Sequence, residues 1–585
     1  MATDKEIHAD AMERFKDSQD ASSFNRNDAE ADIRFARLAD QWPDDVRKIR
    51  IKEGRPCLTI NRLPSFIRQV VNESRQNKPG ISVHPVDNGA DEKTAEIIGG
   101  IIRSVERSSK AEIAYDTAID HAVTSGFGFF RINLDYAHSE TFDLEARIQR
   151  IPNPLQVHWD TNSTEFDASD WDFAFVSEFL SEDQFKFRYP DAAPVSFEGD
   201  RRDYIGDWLQ SGLIRVSEYW LREDEKRKLF LLSDGNAVRE AALPRIARES
   251  LAAGGITDLG GQVDDDEVIA AFLQMNGLTV AREREVTDHT ITRRIMSGEE
   301  VLEEDPWPGS MIPICPVWGD EVIVDGRRHF RSMVRDAKDS QAMFNFWRSA
   351  STELVALAPK APFVIDDRAL PKDTNELGKW NTANTRSHPY LIYNGQGNVP
   401  QRQAMPSVPT GAIQEALNAA DDMKSILGIY DAALGARGNE TSGLAIRARQ
   451  RESDVSNFHF IDNLNRAIEY AGRVLVDIIP AVYSTRQTIR ILGEDQKENV
   501  VRLTQESVAE GGDGDLYNIA VGKYDVAVKS GPSYATQREE TKEFLIEIIS
   551  RLPEAAMVLG DILLDYMDFP RSDEAAERLR TLAGS

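Results

Sequence analysis

The stretch GIYDAALGARGNETSGLAIRARQRESDVSNFHFIDN, Gly428–Asn463, decides how this chain is read. It joins a helix end, a glycine-rich loop and the start of a long polar helix. The 585-residue chain carries a net charge of −29. Yet between Leu434 and Arg451 the charges are Arg437, Arg447, Arg449 and Arg451 against the single acid Glu440. A flexible cationic loop on a helical scaffold suits a phosphate backbone, which needs mobile positive charge and no fixed register. Charge pattern alone favours a plainer reading, a surface loop followed by a solvated helix face.

The flanks give this loop a setting. Ala412–Leu427 places Ile413, Leu417, Ala420, Met423 and Leu427 at helical spacing. Residues 331–357 predict another helix, with Val334, Ala337, Gln341, Phe344, Arg348 and Ser351 as a mixed stripe. So mixed a stripe suits packing beside copies of the same chain better than a deep core. Between the two helices, Pro359, Pro362, Pro371, Pro389, Pro400, Pro406 and Pro409 predict a compact non-helical insertion, with strands at Ala361–Ile365 and Tyr390–Tyr393. After the loop, Phe458, Ile461, Leu464, Ile468, Ala471, Leu475 and Ile478 form a core-facing seam, ended or kinked by Pro480.

Further out, helices are predicted before a Trp42-Pro43 break, over Arg62–Asn77 and over Thr94–Ser125. The first has Phe15, Phe24, Ile33, Phe35, Leu38 and Trp42 as anchors, the second Phe66, Val70 and Val71. Alternation predicts strands at Ile81–Val86, Phe127–Leu134, Asp172–Phe179, Leu213–Trp220, Val286–Ile295, Ile312–Ile323 and Tyr524–Val528. The aromatics of residues 140–240, from Trp159 through Phe187 and Trp208 to Trp220, are crowded by acids and read as sheet core rather than as a stacking platform. The run Asp264–Glu267 lacks calcium-loop spacing and reads as a solvated turn. Gly511–Asp515 and Gly531-Pro532 read as turns, Thr536 as a helix cap with Glu539, and 541–580 as helices broken at Pro553 and Pro570.

Hydrophobic residues make up 41% and charged residues 29%, a globular composition with length for about four domains. No apolar run spans a bilayer, and the polar start MATDKEIHADAMERFKDSQD is not a secretory signal. Cys57 and Cys315 form no disulfide framework and no zinc cluster, which fits synthesis in a reducing cytoplasm.

Four stretches together resemble the portal proteins of tailed double-stranded DNA bacteriophages, most closely the short-tailed-phage type. They are the Gly428–Asn463 segment, RPCLTINRLPSFIRQVVNESRQNKP (Arg55–Pro79), AYDTAIDHAVTSGFGFFRI (Ala114–Ile132) and GKYDVAVKSGPSYATQREE (Gly522–Glu540). The resemblance implies an α+β, mainly helical fold that assembles as a ring, a dodecamer in the family, around a central DNA channel. It divides the chain into a wing (1–330), a first stem helix (331–357), a clip (358–409), a second stem helix (410–430) and a channel loop (431–443). A long helix with returning wing strands (444–537) and crown helices (538–585) follow, and an extended barrel is expected to be absent. The implied partners are double-stranded DNA, the terminase large subunit, the head-to-tail adaptor, and capsid and scaffolding proteins, with no membrane. The implied location is the capsid vertex of the virion, after synthesis in the host bacterial cytoplasm.

On that reading the DNA-channel candidates are Arg331, Arg335 and Lys338 on the first stem helix and Arg437, Asn439 and Glu440 in the loop. Arg447, Arg449 and Arg451 are channel or intersubunit candidates. A helix spreads alternate residues around its circumference, so these three lean towards pairing between subunits. For the stem residues the alternative is a salt bridge with acids such as Asp336 and Asp339. A mostly negative channel wall repels DNA and lets it slide, so acidity fits a conduit and not a tight static binder. No catalytic, cofactor or metal site is expected. There is no G-x-x-x-x-G-K-[ST], no H-E-x-x-H, no G-x-S-x-G and no C-x-x-C. His459, between Phe458 and Phe460, reads as a packed or surface histidine. The alternatives are a head or tail ring protein that conducts no DNA and a phage DNA-processing hydrolase.

Overall fold

The structure is a computed structural model describing residues 3–76, 79–86, 91–137, 140–196, 213–233, 237–240, 243–253, 265–357, 363–383, 386–402, 410–429 and 457–483. Beyond these it describes the shorter pieces 488–492, 498–503, 516–517, 524–529, 544–552, 559–560 and 563. The chain is mixed helix and sheet.

Helix α1 (Asp4–Arg37) opens on a capping box in which the Thr3 amide donates to Glu6 at 2.8 Å. Its buried residues Ala11, Phe15, Ser18, Ser22, Asn25, Ala29, Ile33 and Ala36 recur every three to four positions and lay one narrow side along the core. Phe24 and Phe35 are half-buried and Leu38 is exposed, so of those three expected anchors none is fully enclosed. Pro43 stands before α2 (Asp44–Lys52), and α3 (Leu63–Gln76) buries Phe66, Val70 and Val71.

The single helix expected over Thr94–Ser125 is two, α4 (Glu92–Ser109) and α5 (Ala111–Ser125). Lys110 between them is left-handed, with φ 52°. The apolar period runs through the break because both helices face one core, and no Gly or Pro announces it. Likewise the strand expected over Ile312–Ile323 is two, Ile314–Trp318 and Asp320–Val324, which belong to different sheets.

Ile314–Trp318, Phe127–Tyr136 and Leu144–Arg150 make an antiparallel three-stranded sheet. The six-stranded sheet contains Val157–Trp159, Phe173–Ser181, Leu213–Leu232, Val280–Met296 and Val301–Trp307, with Ala237–Arg239 on the outer part of Leu213–Leu232. Most of the aromatics expected in sheet core are there: Trp159, Trp171, Phe173, Phe175, Tyr219 and Trp220 are buried. Phe179 is half-buried and Phe187 is exposed, while Trp208 lies outside the described residues. Two helices follow on this branch, α6 (Glu182–Arg188) and, after the long strand, α7 (Leu243–Ala253). The acids Asp265–Glu267 open α8 (Asp265–Met275) instead of a turn, where negative charge favours the helix N-terminus.

Helix α9 is Met333–Leu357. In the proline-rich insertion, α10 (Thr374–Asn381) corrects the non-helical expectation. The paired strands there are Phe363–Val364 and Gln401–Arg402. Tyr390–Tyr393 is not a strand, and the Ile392 carbonyl instead accepts from Trp380 Nε1 at 2.7 Å. Helix α11 (Thr410–Leu427) follows, then α12 (Phe458–Val482).

Helix α12 is the axis of the main core. Its expected seam is buried except Phe458, and the helix passes Pro480 by two residues before it ends. Gly472 lets two distant segments meet on it. A Cβ there would lie 2.6 Å from Val526 and 3.1 Å from Ile81. Those residues belong to Gly80–Pro85 and Tyr524–Lys529, which pair antiparallel across more than 400 residues of sequence.

Candidate functional site: the root of the long helix and the base of the basic loop

Ser332 precedes α9, and its Oγ accepts from the Arg335 amide at 3.2 Å, satisfying one of the free N–H groups of the first turn. The same hydroxyl donates to Asp32 Oδ2 at 2.6 Å. Asp32 comes from α1 and is fully buried. It also accepts from Arg335 Nη2 at 2.8 Å and pairs with Lys338 Nζ at 2.6 Å. Arg335 reaches Asp28 as well. One buried carboxylate therefore ties α1 to the cap and the first turn and a half of α9.

A polar ridge continues along α9. Gln341, Asn345 and Ser349 are buried at four-residue intervals. Their side-chain oxygens accept from the amides of Arg62 (3.1 Å), Ile60 (2.9 Å) and Leu58 (2.9 Å), respectively. Four helical residues rise about 6 Å and two extended residues about 6.6 Å, so every fourth side chain meets every second amide. Gln341 Nε2 returns a bond to the Ile60 carbonyl at 2.9 Å, and Asn345 Nδ2 donates to Gln41 at 2.6 Å. Glu353, one step further, accepts from Arg50 at 3.2 Å and Arg55 at 3.0 Å. The motif RPCLTINRLP is thus the extended segment that α9 holds. Arg62 closes its end with the guanidinium 4.6 Å from the Phe344 ring centre. Asn345→Ala leaves the Ile60 amide and the Gln41 amide oxygen without partners. It is expected to cost about 2 kcal/mol, read as a lower urea midpoint, while Ser351→Ala on the half-buried flank is expected to change little.

The expected stripe on α9 is partly displaced. Val334, Ala337, Gln341 and Phe344 are buried, but Arg348 is exposed, and the buried ridge runs through Asn345 and Ser349. Along the same stretch α9 also packs on α11, through Phe344, Ala416, Ala419, Ala420 and Met423. Ile413 and Leu417, expected on that buried side, are exposed. Met343, Phe346 and Leu354 of α9 are exposed as well, so the helix pair leaves five large apolar side chains uncovered.

The base of the loop is closed. Asn457 Nδ2 donates to the Leu427 carbonyl at 3.0 Å, and Leu427, Ile429, Phe460 and Ile461 are buried together. The chain thus leaves and re-enters the core at one point. His459 Nε2 lies 2.9 Å from Asp320, which ties the start of α12 to the hairpin leading into α9.

Of the sequence candidates, Arg335 and Lys338 are brought together at Asp32. Arg331 is not on the helix. It ends the strand Arg327–Arg331 and pairs with Asp336 at the surface. Arg437, Asn439, Glu440, Arg447, Arg449 and Arg451 lie outside the described residues, as do the turns at Gly511–Asp515 and Gly531-Pro532 and the Thr536 cap. Asp32, Asn345, Ser349 and Glu353 were missed by sequence reasoning. For Asn345, Ser349 and Glu353 the one sequence signal is their four-residue spacing on a helix, which does not name the partner; for Asp32 there was none.

Two close approaches seat these parts. Gly126 is left-handed, with φ 91°, and a Cβ on it would lie 2.7 Å from the Phe330 carbonyl oxygen. A Cβ on Gly128 would lie 2.0 Å from that of Ala118. The motif TSGFGFF is therefore the place where α5, the three-stranded sheet and the strand before α9 touch. Among the described residues no group of three or more His, Cys, Asp or Glu is placed to hold a metal ion.

The site is thus a buried core, a helix pair braced on it and two chain segments joined at Asn457 and Leu427, an arrangement of structural contacts. Comparison with known proteins makes this specific. The family model described as Phage P22-like portal protein matches residues 12–585, and the chain belongs to that family, whose members are structural and not enzymatic. A relative named Portal protein, from Acyrthosiphon pisum secondary endosymbiont phage 1, is 24% identical over 601 aligned residues, covering 97% of this chain and 80% of the relative. The hydrolase alternative is thereby set aside. A phage portal protein implies a place in the virion capsid, and among the described residues no helix is long and apolar enough to cross a membrane.

Proposed function

We propose that copies of this chain form a ring at one capsid vertex, through whose channel double-stranded DNA enters during packaging and leaves at ejection. The observation that carries this reading is the α9–α11 pair. One side of α9 is locked to the core through Asp32 and the polar ridge, while Met343, Phe346 and Leu354 of α9 and Ile413 and Leu417 of α11 stay exposed. In a cyclic ring the flank of one copy meets a different flank of the next, so such side chains are covered on assembly. Residues 331–357 and 410–430 serve as stem, 358–409 as the clip that docks the terminase large subunit and later the head-to-tail adaptor, 1–330 as wing and 538–585 as crown. Capsid and scaffolding proteins meet the ring from outside, after synthesis in the host cytoplasm.

Arg335 and Lys338 brace α9 and leave little charge for DNA, since both lie on Asp32. Contact with DNA is assigned to Arg437, Asn439 and Glu440, with Arg331 at the rim. Arg447, Arg449 and Arg451 pair between subunits. Electron microscopy of the purified protein is expected to show rings, twelve-fold in the family pattern, with an open axial channel; a monomer sinks the reading. Arg437→Ala is expected to lower packaged-DNA yield about tenfold, by loss of a phosphate contact at each of many subunits, with ring formation intact. Wild-type yield and DNA retention overturn the role of the loop.

A further inference from the structure

One face of the six-stranded sheet is covered by α1 through Phe15, Phe173, Phe175 and Tyr219. The other face is covered by the main core over Ala174, Trp220, Ile291 and Trp307 and by α6 and Tyr189 near its end, and between these a cleft of about 340 Å³ stays open. Its floor includes Val176, Val216 and Ile295. Its walls carry Arg131 and Arg150 from the neighbouring three-stranded sheet, Arg188, Glu178 and Glu218. Arg131 is paired with Glu218 at 2.7 Å and Arg188 with Glu178 at 3.2 Å. Arg150 is exposed and has no ion-pair partner among the described residues. Tyr189, which also lines the cleft, is 7% exposed, and its hydroxyl has no hydrogen-bond partner among them. A buried hydroxyl without a partner is costly, and an unpaired arginine beside an apolar floor is a seat for a carboxylate next to an apolar side chain. A nucleic-acid backbone fits poorly, because Glu178 and Glu218 face the same space.

The opposite end of the same hairpin has the complementary chemistry. Strands Phe127–Tyr136 and Leu144–Arg150 run from Arg131 and Arg150 at the cleft out to a tip. Phe142 at the tip is 95% exposed, and Phe187 on α6, next in sequence to the cleft-lining Arg188, is 91% exposed; these are the two most exposed large apolar side chains among the described residues. Around Phe142 stand Asp135, Glu140, Asp143 and Glu145, with no Lys or Arg between Arg131 and Arg147. Single aromatics so fully in water, one flanked by acids and one by Lys186 and Arg188, mark two halves of one contact. The tip lies roughly 25 Å from its own cleft at the strand rise of 3.3 Å per residue, so it does not fold back into it.

We propose that the acidic tip of this hairpin, with Phe142 and Glu140, enters the Arg150–Tyr189 cleft of the next copy. This is a head-to-tail contact, which by repetition closes a ring or runs into a filament. Phe142 covers the floor beside Phe187, Glu140 meets Arg150, and the Tyr189 hydroxyl gains an acceptor. The inference rests on the ring reading above and deepens it.

The test is site-directed crosslinking in the full chain. Thr141→Cys, which keeps the Phe142 side chain, and Gln156→Cys are combined in a Cys57→Ser background, with Cys315 left buried. After mild oxidation of assembled protein, a ladder of crosslinked multimers is expected on a non-reducing gel, and none from either single-cysteine variant. Arg150→Glu, on an exposed side chain, is expected to weaken assembly about tenfold or more, as loss of a hot-spot contact does, and Glu140→Arg combined with it to restore part of the loss. Tyr189→Phe is expected to leave the monomer as stable or more so, yet to weaken assembly. Rings that form normally without the ladder, with Arg150→Glu assembling like wild type, overturn the contact and leave the ring reading standing. Absence of rings in the unmodified protein overturns both.

Discussion

Asp32→Ala is expected to lower the unfolding free energy by about 3–5 kcal/mol, the cost of removing one partner from a buried charge cluster. Arg335 and Lys338 would then face each other without their shared carboxylate, and the Ser332 hydroxyl would lose its acceptor at 2.6 Å. The loss falls on the first turns of α9, so amide exchange is expected to rise there and along Leu58–Arg62 before it rises in α12. Asp32→Asn separates the contributions, because the amide oxygen still accepts from Ser332 while the charge is gone. The surface pair Arg331–Asp336 is the control. Both side chains are exposed by more than 40%, and Asp336→Ala is expected to cost less than about 1 kcal/mol. Equal losses at the two positions would remove Asp32 from its place as the hub. In the assembled particle, Asp32→Ala is expected to reduce ring yield, since a loosened root lets the helix pair tilt.

Gly128→Ala is expected to be among the most damaging single methyl additions at the described glycines. The added carbon would sit 2.0 Å from the Ala118 carbonyl oxygen and 2.8 Å from its carbon. Both atoms are backbone of α5, which is itself fixed by Ala114, Ile119 and Ala122 in the core. Strand and helix must part, at about 3 kcal/mol or more, the upper range for overpacking. Gly54→Ala tests space against strain. Gly54 has φ 69° but nothing within 4 Å of a new Cβ, so only the left-handed penalty of about 1 kcal/mol applies. Thermal melting of the two variants side by side checks this. A small shift for Gly128→Ala would mean that α5 sits further from the strand than described.

Both positions lie close to what was readable in the sequence. The motif around Gly126 and Gly128 was visible as a helix–turn–strand unit, and the RPCLTINRLP motif as a pattern. What each motif does was not visible. Local signals such as the Thr3–Glu6 box, Pro43 and the seam of α12 act within a few residues, so they can be read directly. Lys110 broke a helix without Gly or Pro, because the turn is held by what both helices pack against. Ile413 and Leu417 had the right spacing for a buried side and yet are exposed, since period shows that a face exists and not which neighbour covers it.

By itself the sequence determined the alternation of helices and strands, the helix–insertion–helix order, and the four motifs whose combination points to one family. Those depend on local propensity, on spacing and on recurrence. Only the tertiary structure decided where the charges go. In the sequence Arg335 and Lys338 could meet DNA or pair with a neighbouring acid such as Asp336 or Asp339; the structure pairs both with Asp32, some 300 residues earlier in the chain. A buried carboxylate must be paired, and its partners are chosen by which elements the core brings together, not by which are near in sequence. The same holds for Gln341, Asn345 and Ser349, whose partners are backbone amides and leave no trace in residue type.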